Sequence, residues 1–224
     1  MDYRFNRVDP PQTSALPIAD AGYSFIYAAA FCTLVFALLE IALLAVLGLI
    51  ATFFITYFFR DPERYIPARE NAVVSPADGR IVKIEVVEEN PFIDGACLKI
   101  GIFMSVFNVH VNRIPYSGRI EKTMYKPGKF FSANRDAASM QNEQQAVVLE
   151  SEEGHKICFV QIAGLVARRI ICRIQSGDRV TRGERFGMIC FGSRLDVYLP
   201  ADSSASVSKG DTVKAGQSIL GYLS

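Results

Sequence analysis

The chain is poor in the residues that build metal sites and disulfide frameworks. Its 224 residues include only two histidines, His110 and His155, and five cysteines, none of them in a CxxC pair. Zinc sites need Cys and His at short spacings, and a disulfide framework usually needs an even number of cysteines. We therefore expect no metal site and no disulfide framework, and the free thiols fit a reducing, cytosolic environment.

An excess of charge of either sign is also missing. The chain has 24 Lys and Arg against 23 Asp and Glu, a formal net charge of +1, and no stripe of basic residues. Proteins that bind nucleic acids attract the phosphate backbone with clustered Lys and Arg, and usually carry a recognisable motif. The sequence therefore gives no case for a nucleic-acid partner.

Apolar residues, by contrast, are concentrated in one long run. Residues 23–59 contain a single charged residue, Glu40. One straight helix of this length would measure about 55 Å, against roughly 30 Å for the hydrocarbon core of a bilayer. Two shorter helices folded as a hairpin fit better, with the break near Glu40 or near Gly48. A carboxylate in the middle of a membrane costs about 2.5–3.5 kcal/mol, which places Glu40 at a turn, an interface or a protein contact.

Basic residues flank this run on both sides, and this symmetry favours a hairpin with both ends on the cytoplasmic face. They are Arg4 and Arg7 before the run, and Arg60, Arg64 and Arg69 after it. The sequence therefore predicts a cytoplasmic N-terminal segment (1–22), a transmembrane or membrane-embedded helical hairpin (23–59) and a domain on the cytoplasmic side (60–224).

The domain after residue 60 lacks the period of long helices. It contains short alternating segments punctuated by Gly, Asp and Pro, the pattern of strands joined by hairpins. We predict a mainly β domain with one or two short helices. The strand-like segments are 79–89, 96–105, 118–128, 146–164 and 167–178.

An internal repeat refines this fold prediction. The pattern G-D-x-V-x-x-G occurs at Gly177 and again at Gly210, and "SPADGRIVKI" (75–84) resembles a related turn into a strand. Such a repeat indicates a β-sandwich or barrel-like fold with internal pseudo-symmetry. The hairpins resemble the halves of lipoyl and biotinyl domains, which carry a cofactor on a lysine between the halves. Here the stretch between the repeats, 188–208, has no lysine, and Gly192-Ser193 interrupts an apolar run within it.

The Gly192-Ser193 pair has a plain interpretation, a turn, and a chemical one. A serine hydroxyl can attack the preceding carbonyl and convert the peptide bond to an ester, and glycine leaves that carbonyl open. Elimination of the ester and loss of ammonia would then leave an N-terminal pyruvoyl group. Its ketone can condense with an amine and accept the electrons released when CO₂ leaves. Taken alone, the dipeptide is common and favours the turn.

Two other residues supply what this reaction requires. His110 lies inside the apolar, alternating "VFNVHVNRIP", where a half-buried structural histidine is the default. Asp78 precedes a glycine in "SPADGRI", where a turn aspartate is the default. Together, Asp78, His110 and Ser193 provide an orienting carboxylate, a base and a nucleophile. His155 lies in a polar hairpin turn and is left out.

Six segments together resemble the short, membrane-associated phosphatidylserine decarboxylases, from the hydrophobic run to about residue 200. They are FFRDPER, SPADGRI, FNVHVNR, KPGKFFSANRD, QIAGLVARR and FGSRLDVYLP. The resemblance implies a proenzyme that cuts itself between Gly192 and Ser193, giving a β chain (1–192) and an α chain (193–224). The two chains would stay together as a heterodimer and associate further as a dimer.

The resemblance also implies roles for individual residues. Ser193 is the nucleophile and becomes the pyruvoyl group, and Gly192 supplies the carbonyl that is attacked. His110 is the base in self-cleavage and later the proton donor, and Asp78 orients it. The implied reaction converts phosphatidylserine in the cell membrane to phosphatidylethanolamine and CO₂, with no metal.

The sequence departs from the family pattern at two places. Longer members have two histidines in Y-H-x-x-H, whereas the corresponding stretch here has only His110, with Arg113 three residues on. Many members have Gly-Ser-Thr, whereas Arg194 follows the serine here. The scissile pair itself is present, but His110 must perform both proton transfers unless Arg113 or water takes one.

Charged and aromatic residues suggest contacts with the lipid. Arg113, Lys126 and Lys129 could meet the substrate phosphate, although solvated strand edges are the default for such charges. Phe130 and Phe131 fit either lipid contact or a core, and the core is the default.

Two other functions remain open at this point. A membrane-anchored, non-enzymatic adaptor with a lipoyl-like domain would explain the hydrophobic run and the repeat, but not the Gly-Ser pair. A pyruvoyl enzyme that acts on a soluble amino acid would explain Gly-Ser, but not the hydrophobic run.

Overall fold

The computed structural model describes residues 17–131, 141–164, 169–190 and 192–224. The chain divides into a helical unit that ends at Glu63 and a β-rich unit that begins at Arg64. This confirms the predicted fold class, a mainly β protein preceded by a helical hairpin. Most of the predicted N-terminal segment 1–22, with Arg4 and Arg7, lies outside the described residues.

The helical unit is a hairpin that reverses at Glu40. A short 3-10 turn (Asp20–Gly22) leads into helix α1 (Tyr23–Leu38), and helix α2 (Ala42–Phe58) follows after three residues. Glu40 has a φ of 59°, in the left-handed region that ends a right-handed helix. Of the two break points that the sequence allows, the one at Glu40 is therefore confirmed.

The alternative break at Gly48 is wrong, because Gly48 lies inside α2 at the contact with α1. A Cβ atom on Gly48 would come within 2.7 Å of the Thr33 hydroxyl oxygen. The Oγ1 atoms of Thr33 and Thr52 lie 3.3 Å apart across the same contact. Small residues and hydroxyl groups allow helices to pack closely where the surroundings are apolar.

Both ends of the hairpin leave it side by side. The Ala19 amide donates to the Phe59 carbonyl oxygen at 2.8 Å, and the Asp61 amide donates to the Pro17 carbonyl oxygen at 2.6 Å. Residues Asp20–Leu38 are long and apolar enough to cross a membrane, and Ala42–Phe58 is a shorter apolar helix. The large apolar side chains of both helices are mostly exposed, as lipid-facing side chains would be.

The described residues of the β-rich unit form fourteen strands, and all pairs of named strands are antiparallel. In chain order they are β1 (Ala72–Val74), β2 (Gly79–Val87), β3 (Cys97–Met104), β4 (Val111–Arg113), β5 (Gly118–Lys126), β6 (Gln144–Glu150), β7 (Lys156–Ile162), β8 (Ile170–Cys172), β9 (Arg179–Val180), β10 (Arg185–Ile189), β11 (Ser193–Pro200), β12 (Ser204–Ala205), β13 (Thr212–Val213) and β14 (Ile219–Tyr222).

These strands form one large and two small sheets. The large sheet has the order β13-β2-β3-β11-β7-β6-β5-β9, and the small ones have the orders β1-β14-β12 and β4-β10-β8. The main core contains side chains of all three sheets, among them Ile102, Leu195, Phe186 and Leu220. A second apolar cluster contains Ile93, Val148, Val160 and Tyr198. Tyr198 and Leu195 lie three residues apart on β11, so the two clusters cover opposite faces of the large sheet.

The internal repeat appears in the structure as a pseudo-symmetric pair of edges. The first repeat supplies β9 and β10, and the second supplies β13 and β14. β9 and β13 close the two opposite edges of the large sheet. The amides of Gly177 and Gly210 donate to the carbonyl oxygens of Ile120 and Ile81 respectively, each at 2.8 Å. The Gly192-Ser193 pair lies between these two equivalent units, as the lysine does in the domains that the repeat resembles.

Candidate active site

One end of the large sheet brings together the chain segments around Ser193. Ser193, the first residue of β11, pairs with Met104 at the end of β3, and the next residue of β11 pairs with Ile162 at the end of β7. Ile162 in turn pairs with Gln144 at the start of β6, and Gln144 pairs with Lys126 at the end of β5. The loops after β3, β5 and β7 therefore leave the sheet at the same end as the Gly192-Ser193 bond.

The Gly192-Ser193 bond joins a turn to a buried strand. Gly192 has a φ of 37°, in the left-handed region, and a Cβ atom there would meet nothing within 4 Å. Glycine is therefore favoured by the backbone conformation rather than by lack of space. Ser193 is completely buried. The turn interpretation of this dipeptide is thus correct, and the carbonyl of Gly192 lies directly before a serine whose backbone is paired in the sheet.

A chain of buried contacts leads away from the Ser193 side chain. Its hydroxyl group lies 3.4 Å from the Met104 sulfur, which also accepts from the Asn112 amide at 3.8 Å. The Gln161 amide donates to the Asn112 oxygen at 2.9 Å and faces the Ile171 carbonyl oxygen at 3.4 Å. A thioether is a weak acceptor. The contact with Met104 therefore leaves the Ser193 oxygen little restrained.

His110 lies next to β10, the strand that precedes the Gly192-Ser193 bond in the chain. It directly precedes β4 and is completely buried, and its carbonyl oxygen faces the Ile189 amide at 3.4 Å. Its Nδ1 atom lies 2.9 Å from the Asn108 carbonyl oxygen. A carbonyl oxygen can only accept, so Nδ1 carries the hydrogen in this contact. The neutral ring therefore has its lone pair on Nε2, the form that a general base requires.

Asp78 occupies a separate ion pair. Its two carboxylate oxygens lie 3.1 and 2.9 Å from Nη2 of Arg64, and one of them accepts from the Ala215 amide at 2.7 Å. Arg64 also donates to the Gln217 side chain at 2.9 Å. Within the described part of the chain, the hydrogen bonds of Asp78 thus go to Arg64 and Ala215 rather than to His110. Its orienting role stays a prediction.

The three predicted phosphate contacts have different surroundings. Arg113 is buried, and its guanidinium group donates to the Gly183 carbonyl oxygen at 3.0 Å. Lys126 and Lys129 are exposed and lie at or just beyond the end of β5. Phe130 packs against the main core, as expected, whereas Phe131 is 38 % exposed. The two lysines are thus the more accessible candidates.

No group of three His, Cys, Asp or Glu side chains in the described ranges could hold a metal ion. The cysteines Cys97, Cys158, Cys172 and Cys190 are free, and burial raises the pKa of each thiol. Cys190 is close in sequence to the Gly192-Ser193 bond, but its raised pKa keeps it protonated, and a thiol is a poorer nucleophile than a thiolate.

Comparisons with known proteins bear on this arrangement. The family model "Phosphatidylserine decarboxylase" matches residues 51–221, a range that includes Asp78, His110 and the Gly192-Ser193 bond. The chain belongs to the phosphatidylserine decarboxylase family. It is 51% identical over 208 residues to the phosphatidylserine decarboxylase proenzyme of Desulfotalea psychrophila, which covers 93% of this chain and 97% of that protein.

Further members of the phosphatidylserine decarboxylase family match as fully. The proenzyme of Geotalea uraniireducens is 50% identical over 207 residues, and this match covers 92% of this chain and 97% of that protein. The proenzyme of Syntrophus aciditrophicus is 50% identical over 205 residues, covering 91% and 96%. The resemblance stated from the sequence is therefore confirmed.

From the sequence alone, several residues were assigned no part in this decarboxylase-family site. Met104 contacts Ser193, Asn112 contacts Met104 and Gln161 contacts Asn112, whereas Arg64 pairs with Asp78. Three of them lie within the family-like segments FFRDPER, FNVHVNR and QIAGLVARR. A polar side chain within a family-like segment was the one feature of the sequence that could have marked Arg64, Asn112 and Gln161 as site residues. Their contacts join residues far apart in the sequence, so the pattern alone could not assign them.

A buried group of charges follows the Gly192-Ser193 bond, on the face of the strand opposite to the Ser193 side chain. Arg194 donates through Nε to Asp196 at 2.5 Å, and the Lys99 ammonium group lies 3.1 Å from the other oxygen of Asp196. All three side chains are at most 10 % exposed. Burial, and secondarily the negative charge of Asp196, raise the pKa of the neighbouring Tyr198. The arginine that departs from the common Gly-Ser-Thr pattern is therefore part of the sheet's interior.

Asp196→Asn is expected to destabilise the protein by about 3 kcal/mol, because it removes the buried negative charge that contacts both the Lys99 ammonium group and the Arg194 guanidinium group. For a domain of this size, this corresponds to a fall in the melting temperature of about 6–12 °C. Thermal unfolding in detergent measures it. Glu85→Gln, which breaks the half-exposed pair with Lys83, is the matched control and is expected to cost below about 1 kcal/mol. Equal losses for both variants would contradict this prediction.

Proposed function

We propose that this protein cuts itself between Gly192 and Ser193 and then uses a pyruvoyl group made from Ser193 to remove CO₂ from phosphatidylserine. The observation that carries the proposal is the buried Ser193 directly after a left-handed Gly192, in a chain of the phosphatidylserine decarboxylase family. The product would be phosphatidylethanolamine.

Self-cleavage begins when the Ser193 hydroxyl oxygen attacks the Gly192 carbonyl carbon. The peptide C–N bond breaks, the Ser193 nitrogen takes a proton, and an ester joins the two residues. Loss of the proton on the Ser193 α-carbon then breaks the ester C–O bond, leaving a carboxylate on Gly192 and a dehydroalanine at position 193. Water replaces its nitrogen, ammonia leaves, and a ketone remains at the start of the shorter chain.

The surroundings of Ser193 fit a prosthetic group made at this position. β11 pairs with β3 from Ser193 to Pro200 and with β7 from Arg194 to Tyr198. A chain that begins at residue 193 would therefore be held on both sides without the severed bond. β13 and β14 add pairs to β2 and β1, which supports a lasting heterodimer of the two chains. From the resemblance we also expect this heterodimer to associate as a dimer.

The ketone would supply an electron sink for the amine-bearing carbon of the substrate. The proposal assigns the proton transfers to His110. Its Nε2 atom takes the proton of the Ser193 hydroxyl group in self-cleavage, and the same atom later donates a proton to the substrate carbon after CO₂ has left. The contact of Nδ1 with the Asn108 carbonyl oxygen supports both steps, because it fixes the ring and its tautomer. Asp78 is proposed to support this position.

The membrane is the proposed source of the substrate. The apolar hairpin would anchor the protein in the cell membrane, with the β-rich unit on the cytoplasmic side. Lys126 and Lys129 are the proposed phosphate contacts, since both are exposed at the end of the sheet that carries Ser193. The contact of Arg113 with Gly183 favours a structural role for that residue.

Intact mass and substrate assays together test the proposed function. Purified full-length protein in nanodiscs is expected to contain fragments 1–192 and 193–224, the latter lacking an N-terminal amine. It is expected to release CO₂ from phosphatidylserine and not from free serine. An uncut chain that releases no CO₂ would favour the adaptor, and release from free serine would favour a soluble amino acid as the substrate.

A further inference from the structure

We propose that the end of the large sheet that carries Ser193 is a membrane-contact surface, in which Phe107 and Phe131 enter the bilayer interface. Lys126 and Lys129 belong to the same surface and face lipid phosphates. These four residues are called the lipid-facing end below. The inference rests on the proposed function, because that function makes a phosphatidylserine-containing bilayer the partner.

The strand register places the two phenylalanines on either side of Ser193. Phe107 lies in the loop after β3, whose last residue pairs with Ser193, and it is 64 % exposed. Phe131 follows β5, which is separated from β11 by β7 and β6. Adjacent strands are about 4.8 Å apart, so β3 and β5 are about 19 Å apart along the sheet. A flat bilayer surface could thus touch both loops and cover the strand end between them.

Hydrogen bonds hold the described residues of both loops. In the first, the Ser105 amide and hydroxyl groups donate to the Asn108 side-chain oxygen at 2.9 and 2.8 Å. The Asn108 carbonyl oxygen is also the partner of His110 Nδ1. The loop that exposes Phe107 therefore also positions the proposed base.

In the second loop, Asn142 binds Phe131. Its side chain accepts from the Phe131 amide at 2.9 Å and donates to the Phe131 carbonyl oxygen at 2.8 Å. Gly128 allows this close approach, since a Cβ atom there would lie 2.5 Å from the Gln141 carbonyl oxygen. Phe131 is thus a partly exposed aromatic residue on a hydrogen-bonded segment, and aromatic residues are enriched where proteins meet the lipid headgroups.

The charges of this end complement an anionic membrane. Lys126 and Lys129 are exposed, and the Lys129 ammonium group lies 5.9 Å from the centre of the Phe131 ring. Within the described part of the chain, the half-buried Glu143 is an acidic residue beside Lys129, and its amide donates to the Lys129 carbonyl oxygen at 3.1 Å. At the opposite end of the sheet, residues 150–153 and 179–184 line a cleft with charges of both signs. Phosphatidylserine is anionic, and basic residues beside a membrane are attracted to such lipids.

Fluorescence quenching tests the proposal directly, because the chain contains no tryptophan. Phe107→Trp and Phe131→Trp each introduce a single probe into the full-length protein. In phosphatidylserine-containing vesicles whose lipids carry bromine on the acyl chains, both variants are expected to lose most of the emission that they show in the same vesicles without bromine. The emission maximum of each variant in lipid is also expected to lie at a shorter wavelength than that of the same variant unfolded in urea without detergent.

Val86→Trp is the matched control. Val86 is 57 % exposed, and it pairs with Leu98 near the opposite end of β3. Its emission is expected to be the same in brominated and ordinary lipids. Equal quenching of Val86→Trp and Phe107→Trp would overturn the proposal, as would no quenching of either phenylalanine variant. Quenching that stays unchanged when phosphatidylcholine replaces all phosphatidylserine would overturn the role given to Lys126 and Lys129.

The result does not depend on catalysis. Quenching reports contact with lipid whether or not the protein releases CO₂, so a failure of the proposed function is seen separately in the CO₂ assay. Intact mass and the melting temperature of each variant show whether it has folded as the parent protein does.

Discussion

Ser193→Ala is expected to leave the chain in one piece and without decarboxylase activity. The substitution removes the oxygen that attacks the Gly192 carbonyl and with it the source of the ketone. Removing the nucleophile from a comparable serine-histidine system lowers its rate by about 10⁶-fold, which over hours of incubation amounts to no detectable cutting. Ser193 is buried, and alanine fills nearly the same space, so the fold is expected to remain. Intact mass spectrometry after long incubation measures the result.

Two variants separate the chemistry of Ser193 from its place in the sheet. Ser193→Cys keeps a nucleophile at this position, so hydroxylamine is expected to cut the chain at the resulting thioester. Ser203→Ala removes another buried hydroxyl group, near the far end of β11, and is expected to be cut at the normal rate. Fragments 1–192 and 193–224 from the Ser193→Ala protein would falsify the assignment of Ser193 as the nucleophile.

Much of the fold could be predicted because it follows from local patterns. The G-D-x-V-x-x-G repeat fixes a turn at Gly177 and at Gly210, both with φ near +100°, which glycine adopts without strain. The alternating segment 146–164 became the hairpin of β6 and β7, with the turn at residues 151–155. The helical hairpin followed from the length of the apolar run and from the one charge within it. In each case a few neighbouring residues decide the structure.

The contacts around the candidate site could not be predicted in the same way. Arg194 and Asp196 alternate with apolar residues, a pattern that usually indicates a solvent-facing side of a strand. They are buried because a second apolar cluster covers that face of the sheet. The neighbourhood of Ser193 and Met104 depends on the register of β11 against β3, which joins residues far apart in the chain. Such a register is set by packing of the whole sheet.

The contact that positions His110 could not be predicted from the sequence either, although it joins residues close together in the chain. The sequence offered Asp78 as the group that orients the ring, because a carboxylate often has that role beside a catalytic histidine. In the structure the ring's Nδ1 faces a backbone carbonyl only two residues away, and Asp78 pairs with Arg64. A backbone acceptor leaves no mark in the sequence, since every residue has one.

His110→Gln is expected to slow self-cleavage by about 10²–10⁴-fold, the usual contribution of a general base. Glutamine keeps a polar side chain of similar length but has no lone pair comparable in basicity to that of imidazole. The chain should therefore fold and remain largely uncut. The measurement is the time course of the appearance of fragment 193–224. If the variant is cut at the parent rate, a group other than His110 is the base.

Asp78→Asn and Arg64→Gln then decide how Asp78 acts. If Asp78 orients His110, Asp78→Asn should slow cutting, while Arg64→Gln, which leaves the carboxylate in place, should cut faster than Asp78→Asn. If Asp78 acts only through its pair with Arg64, the two variants should cut at the same rate and lose similar stability. Neither change removes the Asn108 carbonyl oxygen, so the ring keeps its Nδ1 partner in both. An Asp78→Asn protein that cuts as fast as the parent would leave the Asn108 contact as the one that positions His110.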